Sequence, residues 1–488
     1  MLSGILIYMK HIRTRFAPSP TGFLHVGGVR TALFAWLLAR QSNGQFILRI
    51  EDTDKAREVE GSAAHIIKCL SALGVDYDEG PNKTGEYGPY LQSERLEIYR
   101  TWAQKLIDSG RAYADPYTSE QLQAFRDEAR ANKRAFLYRN HRPENPPTWE
   151  AGMPLRFKSD PKAYAWHDEV MGDLSTGPEV VDDIILIKSD GYPTYNFAHI
   201  VDDAEMQITH VIRGQEFISS QPTYLNLYEA LEVERPIFAT MPHILAETGG
   251  KKLSKRDGAK DILDYIADGY TPEALINFIA SLGWNDGTEQ EVFTREELVA
   301  KFSLDRVQRS GARFDARRLL WMNGQHIRML PLDELEQRVE NFWPASAQDA
   351  SEARKRQILS LVQDRLKTLT DLPILSSYFF EEPDPNWTML QDNKQLKKLE
   401  QSESQQMLTA ARETFTTIPD DNFQSDTIQN TLNSLLESTG QKPAVLFSLI
   451  RLSVSWAPFS PALPDTLAAL GKDTVIARID RSLGALSE

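Results

Sequence analysis

A histidine beside two glycines is the first group in this chain that could do chemistry. The stretch 15–28 reads RFAPSPTGFLHVGG, and a helical-looking run over Val29–Arg40 follows it. Backbone N–H groups and the dipole at a helix start favour an anion, and glycines let a nucleotide approach the backbone. His25 could then donate a hydrogen bond to a phosphate oxygen. The same residues also fit an ordinary strand–turn–helix with a buried histidine, so this stretch alone leaves both interpretations open.

A second candidate is the cationic segment 249–256, which reads GGKKLSKR and contains Lys252 and Lys255. Its glycines and lysines indicate a flexible loop that could meet a phosphate. Most lysine-rich pentapeptides are simply solvated loops, so this segment is also weak evidence when it stands alone.

The elements around these residues alternate as a parallel nucleotide-binding sheet requires. A strand over Phe46–Ile50 ends in the acidic cluster Glu51–Asp54, and a helix over Gly61–Leu73 follows it. This order predicts an α/β, doubly wound fold, in which functional groups gather at the carboxyl ends of the strands. The pattern stops near Glu94 and resumes with a strand over Gln207–Gly214. We therefore expect residues 95–199 to be an insertion that splits the sheet.

The last third of the chain reads as helix. Long helical runs, such as Glu352–Thr370 and Thr474–Leu483, are separated by connectors that contain proline, and we expect an all-α appendage. Basic residues cluster in two places: residues 301–330 hold seven basic residues against two acidic ones, and residues 126–142 are rich in Arg. These clusters fit RNA binding, although solvated helical faces look similar.

Composition sets the limits of these interpretations. With 488 residues the chain is long enough for two to four domains, and 41% hydrophobic and 25% charged residues are typical of a globular protein. The net charge of −15 is weak evidence against nucleic-acid binding, because a local basic face matters more. The single Cys69 excludes an internal disulfide framework and any cysteine-based zinc site. The apolar N-terminus is too short to span a membrane, so we expect a cytoplasmic protein with no membrane partner.

Taken together and in this order, the two loops resemble the ATP signatures of class I aminoacyl-tRNA synthetases. The wider context is similar to the glutamyl-tRNA synthetases of the bacterial type. The blocks that carry this resemblance are residues 15–22, 49–54, 193–198, 201–203, 210–214, 252–256 and 310–315.

The resemblance implies a domain plan and a reaction. The fold would be a Rossmann-type parallel-sheet catalytic domain (1–94 and 200–246), split by an inserted acceptor-stem-binding domain (95–199). A signature loop with a helical stem-contact domain (247–330) and an all-α anticodon-binding domain (331–488) would follow. The reaction would be the ATP-dependent ligation of L-glutamate to tRNA-Glu through glutamyl adenylate, with Mg²⁺ accompanying ATP.

The resemblance also implies roles for particular residues. Catalytic roles would fall to His25, Lys252 and Lys255, which would hold the phosphates and neutralise the leaving group. The ATP-binding residues would be Pro18, Ser19, His25, Gly27, Gly28 and Lys255. Arg15 and Arg213 would offer guanidinium forks to the carboxylates of glutamate, and Glu51 would face its ammonium group. The glutamate-binding set would be Arg15, Ala17, Ser19, Glu51, Tyr195, His199 and Arg213.

The resemblance is incomplete at one place and open at others. Several relatives carry zinc in the inserted domain, but the segments 113–117 and 139–141 contain no Cys here, so we expect no bound zinc. A glutamyl-queuosine-type enzyme, a glutaminyl-tRNA synthetase and a non-catalytic RNA-binding paralogue are the alternatives. Some relatives also charge tRNA-Gln, and Gln363 lies near a position where selective relatives carry Arg. A monomer is usual in this family.

Overall fold

The computed structural model describes residues 11–248, 250–253, 260–386, 388–457 and 459–486. The chain forms two compact units. The first comprises Met1–Ile266 and Pro272–Ala316, and the second comprises Ala267–Thr271 and Arg317–Glu488. The predicted segment 247–330 is therefore divided between the two units, with the division at residues 316 and 317.

Strands occur only in the first unit, as far as the described residues go. They are β1 (Arg13–Phe16), β2 (Gln45–Leu48), β3 (Ala112–Ala114), β4 (Leu155–Phe157), β5 (Tyr164–Asp168), β6 (Gly172–Thr176), β7 (Ile185–Ile187), β8 (His210–Gly214) and β9 (Ile237–Met241). The main sheet has the order β2-β1-β8-β9-β5-β6, and every neighbouring pair is parallel except the β5–β6 hairpin. A second, antiparallel sheet has the order β3-β4-β7.

Helices cover the sheets of the first unit. They are α1 (Val26–Gln41), α2 (Ser62–Leu73), α3 (Leu96–Asp108), α4 (Ser119–Ala131), α5 (Tyr195–Glu205), α6 (Gln221–Ala230), α7 (Ile262–Ala267), α8 (Pro272–Ala280) and α9 (Arg295–Lys301). Helix α1 is apolar almost all round, and residues 32–39 are all buried. A helix that is apolar on every side must be enclosed, and α1 packs against β1, β2, β8, α8 and α9.

The inserted segment shares the sheet and the core of the nucleotide fold. The β5–β6 hairpin lies in the predicted insertion, yet β5 pairs with β9 at Asp168 and Phe238. Tyr99, Phe157 and Leu186 belong to the same buried cluster as Val211 and Tyr228. Helix α5 runs through the predicted boundary between residues 199 and 200, so this boundary falls inside one element.

The second unit is helical. Its helices are α10 (Ala316–Met329), α11 (Leu332–Arg338), α12 (Glu352–Val362), α13 (Leu372–Ser376), α14 (Thr388–Asp392), α15 (Gln401–Thr416), α16 (Ser425–Thr439), α17 (Pro443–Ser455), α18 (Leu463–Leu470) and α19 (Lys472–Ala485). One apolar cluster lies among α10–α13, and another lies among α15–α19. The predicted fold class, an α/β sheet domain followed by an all-α part, is confirmed.

Two predicted helices have different ends in the structure, for local reasons. Helix α1 begins three residues before the predicted Val29. The predicted run Glu352–Thr370 ends as α-helix at Val362, and short 3₁₀ turns follow it. Those turns bring Leu366 and Leu369 into the core beside α13, which a continued straight helix would carry away from it.

None of the described helices is long and apolar enough to cross a membrane.

Candidate active site

The N-terminus of α1 carries the histidine that the sequence indicates. His25 is the N-cap of α1, and its Nδ1 accepts a hydrogen bond from the backbone N–H of Gly27 at 3.1 Å. A neutral imidazole that accepts at Nδ1 holds its proton on Nε2, so His25 can donate from Nε2. This cap extends the helix back to Val26 and places Gly27 and Gly28 in its first turn. The Gly27 N–H is consequently bonded to His25 and not open to a phosphate.

The two glycines keep the preceding loop close to the helix. A Cβ on Gly28 would lie 2.7 Å from Cδ1 of Leu24, and a Cβ on Gly27 would lie 3.1 Å from Cε1 of His25. Leu24 is buried, so it has little room to move away. Glycine at these positions is therefore a packing requirement of the turn.

A cavity of about 550 Å³ opens at this helix N-terminus. The loop after β1 and the chain after β9 form its walls. The predicted phosphate-site residues that line it are Pro18, Ser19, His25, Gly27, Gly28 and Lys252. Lys255 lies outside the described residues.

Three further ionisable residues line this cavity that sequence reasoning missed: Arg30, Glu216 and His243. Arg30 donates to the carbonyl oxygens of Pro242 and Leu282. Burial lowers the pKa of Arg30 to about 10, against the opposing charge of Glu216. Burial and the charge of Lys252 also lower the pKa of His243. The rule that functional groups follow strand ends could have identified His243, because it comes just after β9.

Beside the cavity, a cluster of charged side chains surrounds the buried guanidinium of Arg49. Sequence reasoning also missed this residue. Arg49 is fully buried and contacts Asp203 at 2.8 Å, Glu51 at 3.0 Å and Asp202 at 3.5 Å. Asp203 also binds Arg15, and these two arginines outweigh burial to hold the pKa of Asp203 at about 2. Asp202 also pairs with Arg95 at 2.7 Å, so three arginines and three carboxylates form one buried network.

Glu51 presents one unpaired carboxylate oxygen in this network. Its Oε1 accepts from Arg49, while its buried Oε2 has no hydrogen-bond partner in the described part of the chain. Burial raises the pKa of Glu51 to about 7, although Arg49 and Arg15 oppose the shift. A ligand cation beside Oε2 would stabilise the ionised form.

The two predicted carboxylate-binding arginines differ in what already faces them. Arg15 donates from Nε and one terminal nitrogen to Asp203, and from the other to the Ile212 carbonyl oxygen. Its fork is thus occupied by Asp203, contrary to the expectation of an open fork. Arg213 donates to Gln221, and no carboxylate of the described residues lies within ion-pair distance of it. Its charge is left for an incoming anion.

Aromatic rings enclose the Arg213 guanidinium. The rings of Phe217, Tyr224 and Phe238 have their centroids 5.3, 5.1 and 5.6 Å from its central carbon. These rings form an apolar wall, which strengthens any ion pair that Arg213 makes.

Tyr195 and His199 lie one turn apart on α5 at the same cluster. Their rings stack with centroids 4.7 Å apart, and Nδ1 of His199 lies 2.8 Å from the Tyr195 carbonyl oxygen. Burial and the charge of Arg213 lower the pKa of His199 to about 3, so this imidazole is neutral. Its proton is then on Nδ1, and the buried Nε2, which has no partner among the described residues, is an acceptor.

The cavity and the Arg49 network meet at the loop after β1. The N–H of Glu51 donates to the Pro18 carbonyl oxygen at 3.0 Å, and Gly214, which follows Arg213, lines the cavity. The intervening Ala17 does not line the cavity, whereas Ser19 does. The structure thus places a cavity of the size of a small-molecule site beside the buried charged cluster that contains Glu51 and Arg213.

Comparisons with known proteins agree with this arrangement. Residues 11–321 match the family described as tRNA synthetases class I (E and Q), catalytic domain, and residues 334–483 match an anticodon binding domain. A glutamate–tRNA ligase of Moorella thermoacetica is 39% identical over 97% of this chain and 98% of its own. A glutamate–tRNA ligase of Clostridium tetani is 38% identical over 96% of each chain.

Solved structures give the same result. The crystal structure of a glutamate tRNA ligase from Elizabethkingia meningosepticum, in complex with its amino acid, has a TM-score of 0.85 and is 33% identical. The match covers 98% of this chain and all of that one. On full-length similarity at this level in both sequence and fold, the chain belongs to the glutamate–tRNA ligase family of class I tRNA synthetases.

Proposed function

We propose that this chain ligates L-glutamate to tRNA-Glu in two steps. In the first, the α-carboxylate of glutamate attacks the α-phosphorus of ATP, and the bond to the β-phosphate breaks to release pyrophosphate. In the second, a hydroxyl of the terminal ribose of tRNA takes the glutamyl group and AMP leaves. The observation that carries this proposal is the contact, at the loop after β1, between the cavity at the start of α1 and the buried cluster that contains Glu51 and Arg213.

The ATP half of the site supplies donors and cations. His25 donates from Nε2 to a phosphate oxygen at the positive end of α1, and Lys252 adds a charge at the cavity wall. Lys255 has the role of neutralising the leaving pyrophosphate. ATP brings Mg²⁺ on its phosphates, and Glu216 is the one carboxylate among the residues that line the cavity.

The glutamate half of the site recognises the charged groups of its substrate. Arg213 takes the side-chain carboxylate, and Glu51 takes the ammonium group through its unpaired Oε2. Arg15, fixed by Asp203, contributes positive potential beside them. Tyr195, His199, Ala17 and Ser19 complete the walls. Glutamine is rejected because its neutral amide would leave the buried Arg213 without an anion.

The tRNA half of the proposal rests on a pocket of about 850 Å³ in the second unit. Its lining combines cations with apolar and aromatic side chains that are exposed, which is the composition that stacks unpaired bases and holds their phosphates. The residues concerned are Trp321, Ile374, Phe459, Arg328, Arg365, Lys367 and Arg451. We assign this pocket to bases of the anticodon loop.

Pyrophosphate exchange into ATP, measured with glutamate and tRNA present, tests the proposed chemistry. We expect exchange in the wild type and a loss of roughly 100-fold or more in Lys255→Ala, because a preorganised donor is worth about 2.7–4 kcal/mol. Lys251→Ala, which removes an exposed lysine of the same loop, is the matched control. An equal loss in both variants, or none in either, would contradict the role of Lys255.

A second experiment decides the range of tRNAs. The amide of Gln363 donates to the carbonyl oxygens of Ile327 at 3.0 Å and Leu330 at 2.9 Å, so both of its donors hold the end of α10. Gln363 therefore has no free donor with which it could discriminate against a base of the tRNA-Gln anticodon. We propose that the protein charges tRNA-Gln with glutamate as well. Charging purified tRNA-Gln with labelled glutamate tests this, and a rate at background would contradict it.

A further inference from the structure

A cluster of three possible metal ligands lies beside the ATP cavity and takes no part in the proposed reaction. His65 and Cys69 stand one turn apart on α2, and Asp261 immediately precedes α7. One ligand atom from each of the three lies within 4.8 Å of the others. All three residues belong to the first unit, and Cys69 is buried.

The three side chains lie close enough together to share one cation. Nε2 of His65 lies 3.0 Å from Oδ2 of Asp261, and both ring nitrogens of His65 lie 3.6 Å from Sγ of Cys69. With Zn–N near 2.0 Å and Zn–S near 2.3 Å, tetrahedral nitrogen and sulfur ligands are about 3.5 Å apart. The three side chains are therefore within reach of a shared cation once the His65 ring rotates to point one nitrogen at it.

The carboxylate of Asp261 is oriented for such a role. Its Oδ1 accepts from the N–H of Leu263 at 2.8 Å, which fixes the group. Its buried Oδ2 accepts no hydrogen bond within the described residues, although Nε2 of His65 is only 3.0 Å away. A carboxylate oxygen without a hydrogen bond, 3.0 Å from an imidazole nitrogen and beside a thiol, can be bridged to both by a common cation.

We infer that His65, Cys69 and Asp261 form a zinc-binding site, with a fourth position left for water. A thiolate and an imidazole select Zn²⁺ over Mg²⁺ and Ca²⁺, which prefer oxygen ligands. This inference revises the expectation of no zinc, which rested on the absence of Cys from the segments 113–117 and 139–141 of the insertion. In this fold, His65 lies one helical turn from Cys69 on α2, and Asp261 comes from a distant part of the chain just before α7.

The proposed zinc site contacts two residues that line the ATP cavity. The backbone of Asp261 pairs with that of His25, and the ring of His65 contacts that of Phe23 with centroids 4.6 Å apart. Phe23 and His25 both line the cavity. A bound zinc ion would therefore tie α2 to the segment that follows the Lys252 loop, directly beside the phosphate site.

Titration of the full-length protein with Co²⁺, followed by competition with Zn²⁺, tests the site. We expect one ion per chain, a thiolate-to-cobalt charge-transfer band in the near-ultraviolet, and loss of that band when Zn²⁺ is added. The band should vanish in Cys69→Ser. Asp261→Asn, which preserves size, should weaken Zn²⁺ binding at least about tenfold while the chain stays folded by circular dichroism.

His167→Ala is the matched control, because His167 and Asp173 form an exposed pair 2.7 Å apart without a thiol. It should bind Zn²⁺ like the wild type. The inference is overturned if the wild type shows no thiolate band, if Cys69→Ser keeps it, or if His167→Ala and Asp261→Asn lose affinity equally.

Discussion

Arg213 and Arg15 are both cations near the ends of adjacent strands, but different neighbours surround them, and we therefore expect them to have different roles. Arg15 is neutralised by Asp203, while Arg213 faces aromatic rings and the Gln221 amide. A buried cation without a counter-ion is costly, and a substrate carboxylate relieves that cost. Binding energy for glutamate should therefore concentrate on Arg213.

We expect Arg213→Ala to raise the KM for glutamate roughly 10- to 100-fold, since a hydrogen bond to a charged group is worth about 1.5–3 kcal/mol. The KM for ATP should hardly change. Steady-state kinetics with tRNA present measure both values. Arg235→Ala, which removes a partly exposed arginine paired with Glu229, should leave both unchanged. A parallel rise in the two KM values of Arg213→Ala would contradict the assignment.

Glu51 should make glutamate binding depend on pH near neutrality. Its pKa is raised to about 7 by burial, so the carboxyl group is increasingly neutral as the pH falls below that value. A neutral carboxyl group cannot pair with the substrate ammonium, and kcat/KM for glutamate should fall up to tenfold per unit below about pH 7. His199, with its pKa near 3, does not titrate in this range.

The pH profile of Glu51→Gln separates this effect from others. We expect a lower and flat kcat/KM for glutamate between about pH 6 and 8, because the titrating group is gone. An inflection that persists near pH 7 in Glu51→Gln would assign the titration to another group.

At the scale of elements, local motifs were predictable and distant pairings were not. The His25 cap and the two glycines lie within a few residues of each other, so their sequence alone indicated a helix start. The hydrogen-bonded ion pair between Arg49 and Asp203 joins residues 154 positions apart, and no local sequence pattern near either residue predicts it. The pairing of β5 with β9 is hidden for the same reason, because the two strands lie about 70 residues apart in the chain and only the fold brings them together.

The inserted segment is stabilised by a buried ion-pair network. Asp183 is buried and accepts from Arg142 at 2.6 and 2.7 Å, from Ser159 and from Tyr113. Burial would raise the pKa of Asp183, but the bonds from Arg142 and Ser159 outweigh it and lower the pKa. Arg156 pairs with Asp115 at 2.6 Å beside this network. Ion pairs and tyrosine hydroxyls thus tie the parts of the inserted segment together, as a bound metal ion could do.

Asp183→Asn should lower the free energy of unfolding by about 3 kcal/mol, because it leaves Arg142 without its counter-ion. The native pKa of Asp183 lies below its ordinary value, so its contribution is present above about pH 4 and is lost as the pH falls further. Denaturant unfolding of wild type and variant at several pH values measures this. Asp173→Asn, at the exposed pair with His167, should have no measurable effect. Equal losses in the two variants would show that burial of Asp183 does not matter.

At the scale of the whole molecule, each unit has a core and a pocket of its own. The first unit holds the cavity at the start of α1 and the buried charged cluster around Arg49. The second holds the pocket lined by aromatic and basic residues between its helices. Chemistry and recognition of unpaired bases are thus assigned to separately folded parts, so variants of the second unit should change tRNA binding and leave glutamate binding intact.

Phe459 provides the sharpest test of that separation. Its side chain is 65% exposed, so truncation removes a stacking surface and costs the fold little. Stacking of a base on an aromatic ring is worth about 1–3 kcal/mol, and we expect Phe459→Ala to raise the KM for tRNA roughly 5- to 100-fold. The KM for glutamate, measured at saturating tRNA, should stay the same. Ile237→Ala, which truncates an exposed apolar residue of the first unit, is the control and should leave the KM for tRNA unchanged. If the KM for tRNA is unaltered in Phe459→Ala, the bases lie elsewhere on the helical unit, since an exposed ring that contacts a base cannot be removed without cost.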